Sequence, residues 1–144
     1  MIREYKDDDI LSIGYIGNQI KKDFIKVFNI KELNKNVENI YVYEQKNKII
    51  GFIHISKSFE VVDIINIAVD LDYQRKGIAM QLINYIIDTL KPERILLEVR
   101  RSNQKAISLY EKCLFKVINI RKNYYESEDA LVMELNLLWK IYTY

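Results

Sequence analysis

The hydrophobic period of this chain changes between residues 69 and 78, and that change restricts its fold more than any other feature. Val61–Val69 is a nearly continuous apolar run, which is typical of a buried strand. From Ile78 to Leu90 the apolar residues instead recur at the spacing of one helical face, and Lys91-Pro92 ends that pattern. A buried strand that leads through a short turn into an amphipathic helix predicts helices packed against a sheet.

Further segments with the same two periods complete the predicted architecture. The other predicted strands are Ile2–Tyr5, Ile40–Gln45, Ile49–Ser56, Arg94–Val99, Lys116–Asn123 and Ala130–Leu135. The other predicted helices are Ile10–Ile20 with an N-cap in Asp7–Asp9, Asp23–Asn36, and a helix from Ser102 or Asn103 to about Cys113. This order predicts an α/β fold, a mixed sheet flanked by helices and closed by a hairpin.

Length and composition predict one ordered domain. The chain has 144 residues, of which 49% are hydrophobic and 29% charged. We expect a single domain over residues 1–137 and an apolar C-terminal tail over residues 138–144. The stretch Leu137–Tyr144 offers more apolar surface than a free chain end leaves in water, so we expect it to pack against its own domain. The protein is then a monomer or a weak dimer.

Charge and cysteine content exclude several classes of function. The 22 basic and 20 acidic residues are spread along the chain, so no basic block favours nucleic acid as a partner. A single cysteine and a single histidine exclude an internal disulfide and a zinc site of the Cys/His type, and we expect no metal. Acidic residues at positions 7–9, and no apolar run of the ~18 residues that span a bilayer, predict a cytoplasmic protein without membrane contact.

The turn at Gln74–Ala79, between the buried strand and the helix, suits a phosphate group. A strand that feeds a glycine-containing turn into a helix N-terminus aims several backbone N–H groups at one point. Arg75 and Lys76 add positive charge, and Gly77 permits close approach of the backbone to a ligand. An ordinary strand-to-helix turn has the same outline, so this pattern alone leaves both interpretations open.

Two residues on the second half of the chain are candidates for proton transfer. Glu98 is the single acid in Ile95–Val99, and a carboxylate on a central strand is either satisfied by a partner or functional. Pairing with Arg100 or Arg101 is the structural alternative. Tyr110 follows on the helix that packs beside that strand, where a core role is the alternative to a catalytic one.

These motifs together resemble a known enzyme family. Gln74-Arg75-Lys76-Gly77-Ile78-Ala79 is similar to the Gln/Arg-x-x-Gly-x-Gly/Ala signature of the GNAT superfamily of N-acetyltransferases. A more specific likeness, to the ribosomal-protein-alanine N-acetyltransferase family, extends from about Ile49 to Leu137. The segments that carry it are Asn66-Ile67-Ala68-Val69, Leu97-Glu98-Val99-Arg100, Ser102-Asn103, Ala106-Ile107-x-Leu109-Tyr110-Glu111, Arg121-x-Asn123-Tyr124-Tyr125 and Glu128-Asp129-Ala130.

The resemblance implies the fold of that superfamily and acetyl transfer from acetyl-coenzyme A to an amine. It implies Glu98 as the general base and Tyr110 as the general acid. The residues that it implies for binding acetyl-coenzyme A are Ile67, Ala68 and Val69 along the pantetheine arm, Arg75, Lys76, Gly77, Ile78, Ala79 and Met80 at the pyrophosphate, and Asn103. One departure is Leu114 at a helix C-cap, where the family has a glycine that suits the left-handed conformation.

The resemblance and proton energetics favour a protein N-terminus as the acceptor. The pKa of an α-amine is about 7.7 to 8.0 and that of lysine about 10.4, so deprotonating lysine costs on the order of 3.5 kcal/mol more. The family implies ribosomal protein S18, with its N-terminal alanine, as the partner. Lysine, a small-molecule amine and aminoacyl-tRNA are alternative acceptors, and a non-catalytic acyl-coenzyme A-binding module is an alternative of another class.

The single thiol and the single imidazole receive structural roles. Cys113 is a possible nucleophile for a covalent route, but it lies at a helix end with no histidine nearby in the sequence. His54 lies on an early strand and is most simply a packing or strand-surface residue.

Overall fold

A computed structural model describes residues 1–22, 24, 28–125 and 127–138. The seven strands are β1 (Ile2–Glu4), β2 (Glu38–Gln45), β3 (Lys48–Ser58), β4 (Val61–Val69), β5 (Arg94–Arg100), β6 (Lys116–Tyr125) and β7 (Glu128–Asn136). The α-helices of the described residues are α1 (Ile10–Ile20), α2 (Ile78–Leu90) and α3 (Gln104–Lys112). Short 3₁₀ turns lie at Asp7–Asp9, Ile30–Glu32 and Leu71–Tyr73.

The strands form a mixed sheet in the order β1-β2-β3-β4-β5-β7-β6. β4 and β5 pair in parallel, whereas β1 with β2, β2 with β3, β5 with β7, and β6 with β7 pair antiparallel. Lys46 and Asn47, which join β2 to β3, both have positive φ, as a two-residue type I′ hairpin requires. The predicted α/β class with a mixed, helix-flanked sheet is confirmed.

The chain forms two compact units. The first unit consists of residues 1–56 and 66–90, and the second of residues 57–65 and 91–144. In the first unit, apolar residues of α1 pack against β2, β3 and β4. Their buried side chains are those of Ile13, Ile16, Phe24, Ile40, Val42, Ile49, Phe52 and Ala68. Phe52 is fully buried there, so truncating it to alanine costs on the order of 3 to 5 kcal/mol.

One of the acidic residues before α1 is its N-cap residue, but its side chain binds elsewhere. Asp9 occupies the N-cap position of α1, but its side chain makes no capping bond to that helix. Its carboxylate instead accepts the backbone N–H of Lys6 at 2.7 Å and forms an ion pair with Arg3 at 2.8 Å. The predicted N-cap within Asp7–Asp9 is confirmed in position at Asp9, but its carboxylate is engaged by Arg3 and by the N–H of Lys6 and makes no capping bond to α1.

The predicted helix over Asp23–Asn36 falls partly outside the described residues. Asp23 and residues 25–27 are not among them. From Phe28 onward the backbone forms the 3₁₀ turn Ile30–Glu32 and then hydrogen-bonded turns up to β2, so this part of the prediction is wrong. Asn29 caps the 3₁₀ turn by accepting the N–H of Lys31, and such local side-chain bonds compete with α-helix.

In the second unit, β5 lies between the first residues of β4 and the strand β7. Ile95, Leu97 and Val99 alternate as buried residues along β5, which is the period of a strand with one face in a core. After β7, Leu137 is buried, and its N–H donates to the backbone carbonyl of Glu93 at 2.8 Å. Residues 139–144 of the predicted tail lie outside the described residues. None of the described helices is long and apolar enough to cross a membrane.

Candidate functional site

The turn that follows β4 is built by side chains of its own segment. The carboxylate of Asp70 accepts the N–H of Asp72 at 3.0 Å, and the backbone N–H of Asp70 donates to the carbonyl of Ile50 at 2.8 Å. Gln74 then reaches back, and its Nε2 donates to the carbonyl of Val69 at 3.0 Å. These bonds fix the path of the chain between the strand and α2.

The backbone of this turn leaves an open space in front of the helix N-terminus. Arg75 and Gly77 have φ values of 64° and 77°. A Cβ added to Gly77 would meet no protein atom within 4 Å. The first N–H groups of an α-helix have no partner inside the helix. Among the described residues, no acceptor outside α2 receives a hydrogen bond from a backbone N–H of residues 75–80. These groups can therefore hold an anion.

Three cationic side chains surround this turn. Lys76 and Lys48 place their ammonium groups 5.4 Å and 5.2 Å from the ring centroid of Tyr73. Arg75 directly precedes Lys76 in the sequence and is exposed. Lys48 was not predicted from the sequence, because it belongs to the β2–β3 hairpin and only the tertiary structure brings it to Tyr73.

The last residues of β4 lie close to the neighbouring backbone. Ala68 and Val69 are buried and Ile67 is partly exposed. A Cβ on Gly51 would lie 3.2 Å from the carbonyl oxygen of Ala68, which is tighter than ordinary contact. Gly51 therefore allows β3 to approach the end of β4 closely.

Glu98 lies on β5 and has a different partner from those predicted. Its Oε1 forms an ion pair with Arg121 of β6 at 2.8 Å. The alternative of a pair with Arg100 or Arg101 is wrong, because Arg100 lies over the ring of Tyr125 and Arg101 pairs with Asp129. In the described residues, no side chain or backbone group contacts the other carboxylate oxygen within hydrogen-bonding distance.

Aromatic rings follow Arg121 along β6. The guanidinium of Arg121 lies 5.5 Å from the ring centroid of Tyr124, and the Tyr124 and Tyr125 rings meet edge to face at 5.1 Å. Burial raises the pKa of Tyr125, and the charge of Glu98 raises it further. No site role was predicted for Tyr124 and Tyr125 from the sequence, although they belong to a segment that carries the resemblance.

Tyr110 is a buried residue of α3. It is 8% exposed, and its ring lies 5.8 Å from that of Phe115. Burial raises the pKa of Tyr110 to about 12. Its hydroxyl makes no hydrogen bond to the residues that the structure describes, so the proton is free to be donated to a ligand.

Asn103 is the N-cap of α3, as predicted for Ser102 or Asn103. Its Oδ1 accepts the N–H of Ala106 at 3.2 Å. The side-chain NH₂ group lies on an exposed residue and can donate to a ligand. Capping and ligand contact are thus compatible for this residue.

The thiol and the imidazole differ in their surroundings. Cys113 ends α3 as a free thiol, and burial raises its pKa, which lowers the thiolate fraction that nucleophilic attack requires. His54 is buried at 3% exposure and forms hydrogen bonds with Glu38 and Asn66. Among the described residues, no group of three His, Cys, Asp or Glu side chains has the geometry to hold a metal ion.

The chain matches a known family over most of its length. The profile of the acetyltransferase (GNAT) family matches residues 9–115, which include α1, the turn before α2, Glu98 and Tyr110. This chain belongs to the GNAT family. The match includes most of the first unit, and residues 57–65 and 91–115 of the second.

Two curated relatives of this GNAT protein act on amines according to their names. The [Ribosomal protein bS18]-alanine N-acetyltransferase of Escherichia coli strain K12 is 40% identical over 98 residues, which are 63% of this chain and 66% of the relative. That match thus spans slightly less than two thirds of the E. coli enzyme. The N-alpha-acetyltransferase of Saccharolobus solfataricus is 32% identical over 92% of this chain and 90% of its own length.

Solved structures agree with the fold of this GNAT protein. The crystal structure of the ribosomal-protein-S18-alanine N-acetyltransferase from Escherichia coli has a TM-score of 0.77 and 30% identity, covering 95% of this chain and 93% of that one. A GNAT family acetyltransferase from Elizabethkingia anophelis with acetyl-CoA bound has a TM-score of 0.76, covering 95% and 97% of the two chains. Its identity is 22%, so this second likeness concerns the fold alone.

Proposed function

We propose that this protein is an acetyl-CoA-dependent N-acetyltransferase whose acceptor is the α-amine of a protein N-terminus. One observation carries the choice of acceptor: relatives from a bacterium and an archaeon, at 40% and 32% identity, both have names that specify N-terminal or α-amine acetylation. The N-terminal alanine of ribosomal protein bS18 is the first candidate. A ribosomal acceptor places the protein in the cytoplasm, which is part of the same proposal.

The first unit supplies the groups that fit the pyrophosphate of acetyl-CoA. The open space in front of Gly77 and the N–H groups of Arg75 to Met80 suit a doubly charged anion at a helix N-terminus. Lys48, Arg75 and Lys76 supply balancing positive charge. The backbone of Ile67, Ala68 and Val69 would pair with the pantetheine arm. Asn103 is a further candidate for contact with the co-substrate, through its side-chain NH₂ group.

The second unit supplies the proposed acid and base. Glu98 takes the proton of the amine as the amine attacks the thioester, while Arg121 holds one of its carboxylate oxygens in place. Tyr110 keeps its proton at neutral pH because burial raises its pKa to about 12. A thiol has an ordinary pKa of about 8.5, so Tyr110 acts on the departing sulfur first as a hydrogen-bond donor. The transfer is direct and forms no acyl-enzyme.

The proton balance supports an α-amine over a lysine side chain. The lower pKa of an α-amine saves on the order of 3.5 kcal/mol in forming the free base, which one carboxylate can then deprotonate during attack.

Mass spectrometry of acceptor peptides incubated with acetyl-CoA tests the proposal. The first peptide has the N-terminal sequence of bS18, with a free α-amine. A matched peptide carries a blocked α-amine and a free lysine, and a polyamine is the third acceptor. We expect a mass gain of one acetyl group on the first peptide, located at its α-amine by fragmentation.

The other outcomes identify the alternatives. Acetylation of lysine or of the polyamine alone would show that the acceptor assignment is wrong. Acetyl-CoA binding by calorimetry without transfer to any acceptor would instead indicate a non-catalytic acyl-CoA-binding module. Incubations without enzyme correct for spontaneous acetylation.

A further inference from the structure

The buried imidazole of His54 is at the centre of a hydrogen-bonded network in the first unit. Its Nε2 lies 2.7 Å from Oε1 of Glu38 on β2, and its Nδ1 lies 3.1 Å from Nδ2 of Asn66 on β4. The ring of Phe28 meets the imidazole edge to face at 5.0 Å. Glu38 is the charged side chain that contacts this imidazole within the described residues.

The chemistry of the three groups determines where each proton lies. A carboxylate only accepts hydrogen bonds, so Nε2 of His54 carries the ring proton and donates to Glu38. Nδ1 then has a lone pair, and Asn66 must turn its NH₂ group toward it. The carboxamide oxygen of Asn66 consequently points away from His54.

At neutral pH, the charge states of His54 and Glu38 favour the Nε2–H tautomer of His54. Burial lowers the pKa of His54, and Glu38 only partly opposes this, so the imidazole is neutral. Burial raises the pKa of Glu38, but hydrogen bonds from the N–H of Asn34 and from His54 outweigh it, and the net effect lowers that pKa. Glu38 is therefore the ionised acceptor that the tautomer requires.

The oxygen of Asn66 is available to a ligand. Asn66 is partly exposed, and no group in the described part of the chain donates to its Oδ1. It directly precedes Ile67–Val69, the segment proposed to pair with the pantetheine arm. A hydrogen-bond acceptor at this position lies next to the segment proposed to bind the pantetheine arm.

Negative charge surrounds the other end of the chain of hydrogen bonds. Glu38 also lines a cleft of about 320 Å³ whose other acidic residues are Glu4 and Asp7, against one lysine, Lys35. Such a cleft attracts a positively charged group. The oxygen of Asn66 is itself an acceptor that suits an ammonium ion, and the acidic cleft lies at the Glu38 end of the same hydrogen-bonded network.

We propose that the carboxamide oxygen of Asn66 binds the N-terminal amine of the acceptor, and that His54 and Glu38 are positioning residues that hold the oxygen toward it. This inference rests on the proposed function, since it names a binding residue for the α-amine acceptor. The amine donates one N–H to Oδ1, which accepts it. Glu38 fixes the tautomer of His54, and His54 fixes the orientation of Asn66.

Nuclear magnetic resonance of the imidazole tests the positioning step without any activity assay. His54 is the single histidine, so its ring signals need no assignment. We expect nitrogen shifts of the neutral Nε2–H tautomer at pH 7.5. Asn66→Asp places a carboxylate beside Nδ1 and should raise the pKa of His54 by at least about one pH unit. An Nδ1–H tautomer in the wild type would overturn the proposal.

Calorimetry with peptides tests the binding step. The probes are an alanine-initiated peptide with a free α-amine and the same peptide with an acetylated N-terminus, each titrated into protein saturated with coenzyme A. The wild type should bind the free-amine peptide more tightly than the acetylated one. The affinity of Asn66→Leu for the free-amine peptide should be at least about tenfold lower than that of the wild type. Asn66→Asp, which retains an oxygen, should keep the preference. Asn84→Leu, at an exposed asparagine of α2, is the matched control and should bind as the wild type does.

The pH dependence of the acceptor KM separates positioning from general stability. As pH falls through the lowered pKa of His54, Nδ1 gains a proton and Asn66 must turn its oxygen inward, so the acceptor KM should rise. Asn66→Leu should abolish this rise relative to the wild type, while the KM for acetyl-CoA stays within about twofold. His54→Phe should behave like Asn66→Leu if it folds; the Asn66 variants decide the matter if it does not.

The outcomes distinguish failure of this inference from failure of the proposed function. If the wild type acetylates the free-amine peptide and Asn66→Leu does so with an unchanged KM, only the role of Asn66 is wrong. If the wild type neither binds nor acetylates that peptide, both the α-amine assignment and the role of Asn66 are wrong.

Discussion

Leu114 follows Cys113, the C-cap residue of helix α3, and has a backbone conformation that leucine rarely adopts. Its φ is 72°, in the left-handed region that costs a non-glycine residue roughly 1 to 2 kcal/mol. The N–H of Phe115 donates to the carbonyl of Tyr110 at 2.9 Å, and the two rings are in contact, which is a Schellman arrangement. The prediction from the sequence that a glycine would suit this position is confirmed by the positive φ.

Replacing Leu114 with glycine should therefore stabilise the protein. The side chain is 59% exposed, so little apolar contact is lost, and the free energy of unfolding should rise by about 1 kcal/mol in urea denaturation. Glu111→Gly, within the helix and exposed, should lower it by about 1 kcal/mol. A Leu114→Gly protein less stable than the wild type would show that the side chain makes a contribution larger than the strain.

The proposed roles of Glu98 and Tyr110 predict a specific kinetic change. Glu98→Gln keeps the shape and removes the proton acceptor, so turnover should fall by roughly 10²-fold with acetyl-CoA affinity nearly unchanged. Tyr110→Phe should behave similarly. Cys113→Ala is the control and should remain active. Loss of activity in folded Cys113→Ala protein would indicate a covalent route through the thiol.

The element that joins β4 to α2 predicts the location of the pyrophosphate. Gly77 has a φ of 77° and faces open space, so Gly77→Val introduces both backbone strain and a branched side chain where the phosphates are proposed to lie. Acetyl-CoA affinity, measured by calorimetry, should fall by at least about tenfold. Gly77→Ala carries the strain with less bulk and should lose less. Wild-type affinity in the valine variant would refute this placement.

The first strand and the 3₁₀ turn after it depend on one ion pair. Arg3 holds the pKa of Asp9 below its ordinary value, chiefly through a hydrogen bond, although burial opposes this. Asp9→Asn turns an NH₂ group toward the guanidinium and should lower the free energy of unfolding by about 2 kcal/mol at pH 7. Asp8→Asn, at a neighbouring exposed position, should change it little.

The pH dependence of this pair has a definite sign. A carboxylate whose pKa is depressed by folding stabilises the protein above its unfolded pKa, about 3.9, and this stabilisation is lost as pH falls through the depressed value. The stability difference between wild type and Asp9→Asn should thus be constant above about pH 5 and shrink below about pH 4. A difference that stays constant down to pH 2 would mean that the carboxylate charge is not what stabilises the turn.

For the whole molecule, the C-terminal tail is the remaining prediction from the sequence. Leu137 is buried in the second unit, and the apolar residues that follow include Trp139 and Ile141. Deleting residues 138–144 should lower the melting temperature by at least about 4 °C, which corresponds to roughly 1 kcal/mol of stability. The deletion should not change the oligomeric state in solution. Deleting residues 143–144 alone should change it less. A dimer that becomes a monomer on deletion, seen by light scattering, would make the tail an assembly element.

Local sequence patterns were enough to predict most of the strands and helices and the turns between them. β4 covers the predicted Val61–Val69, and α2 begins at the predicted Ile78, because the hydrophobic period depends on neighbours in the chain. The left-handed conformation at Leu114 and the N-cap at Asn103 were predictable for the same reason, since capping bonds reach only three to five residues. The assignment of one domain to residues 1–137 stays a prediction.

Which side chains meet depends on how the strands are ordered and aligned in the folded sheet. The period of a strand fixes the face on which Glu98 or His54 lies, but not the strand that arrives beside it. Arg121 pairs with Glu98, and Lys48 reaches Tyr73, because the sheet order and register bring distant segments together. The chain from Glu38 through His54 to Asn66 likewise joins three strands, and no local interaction encodes it.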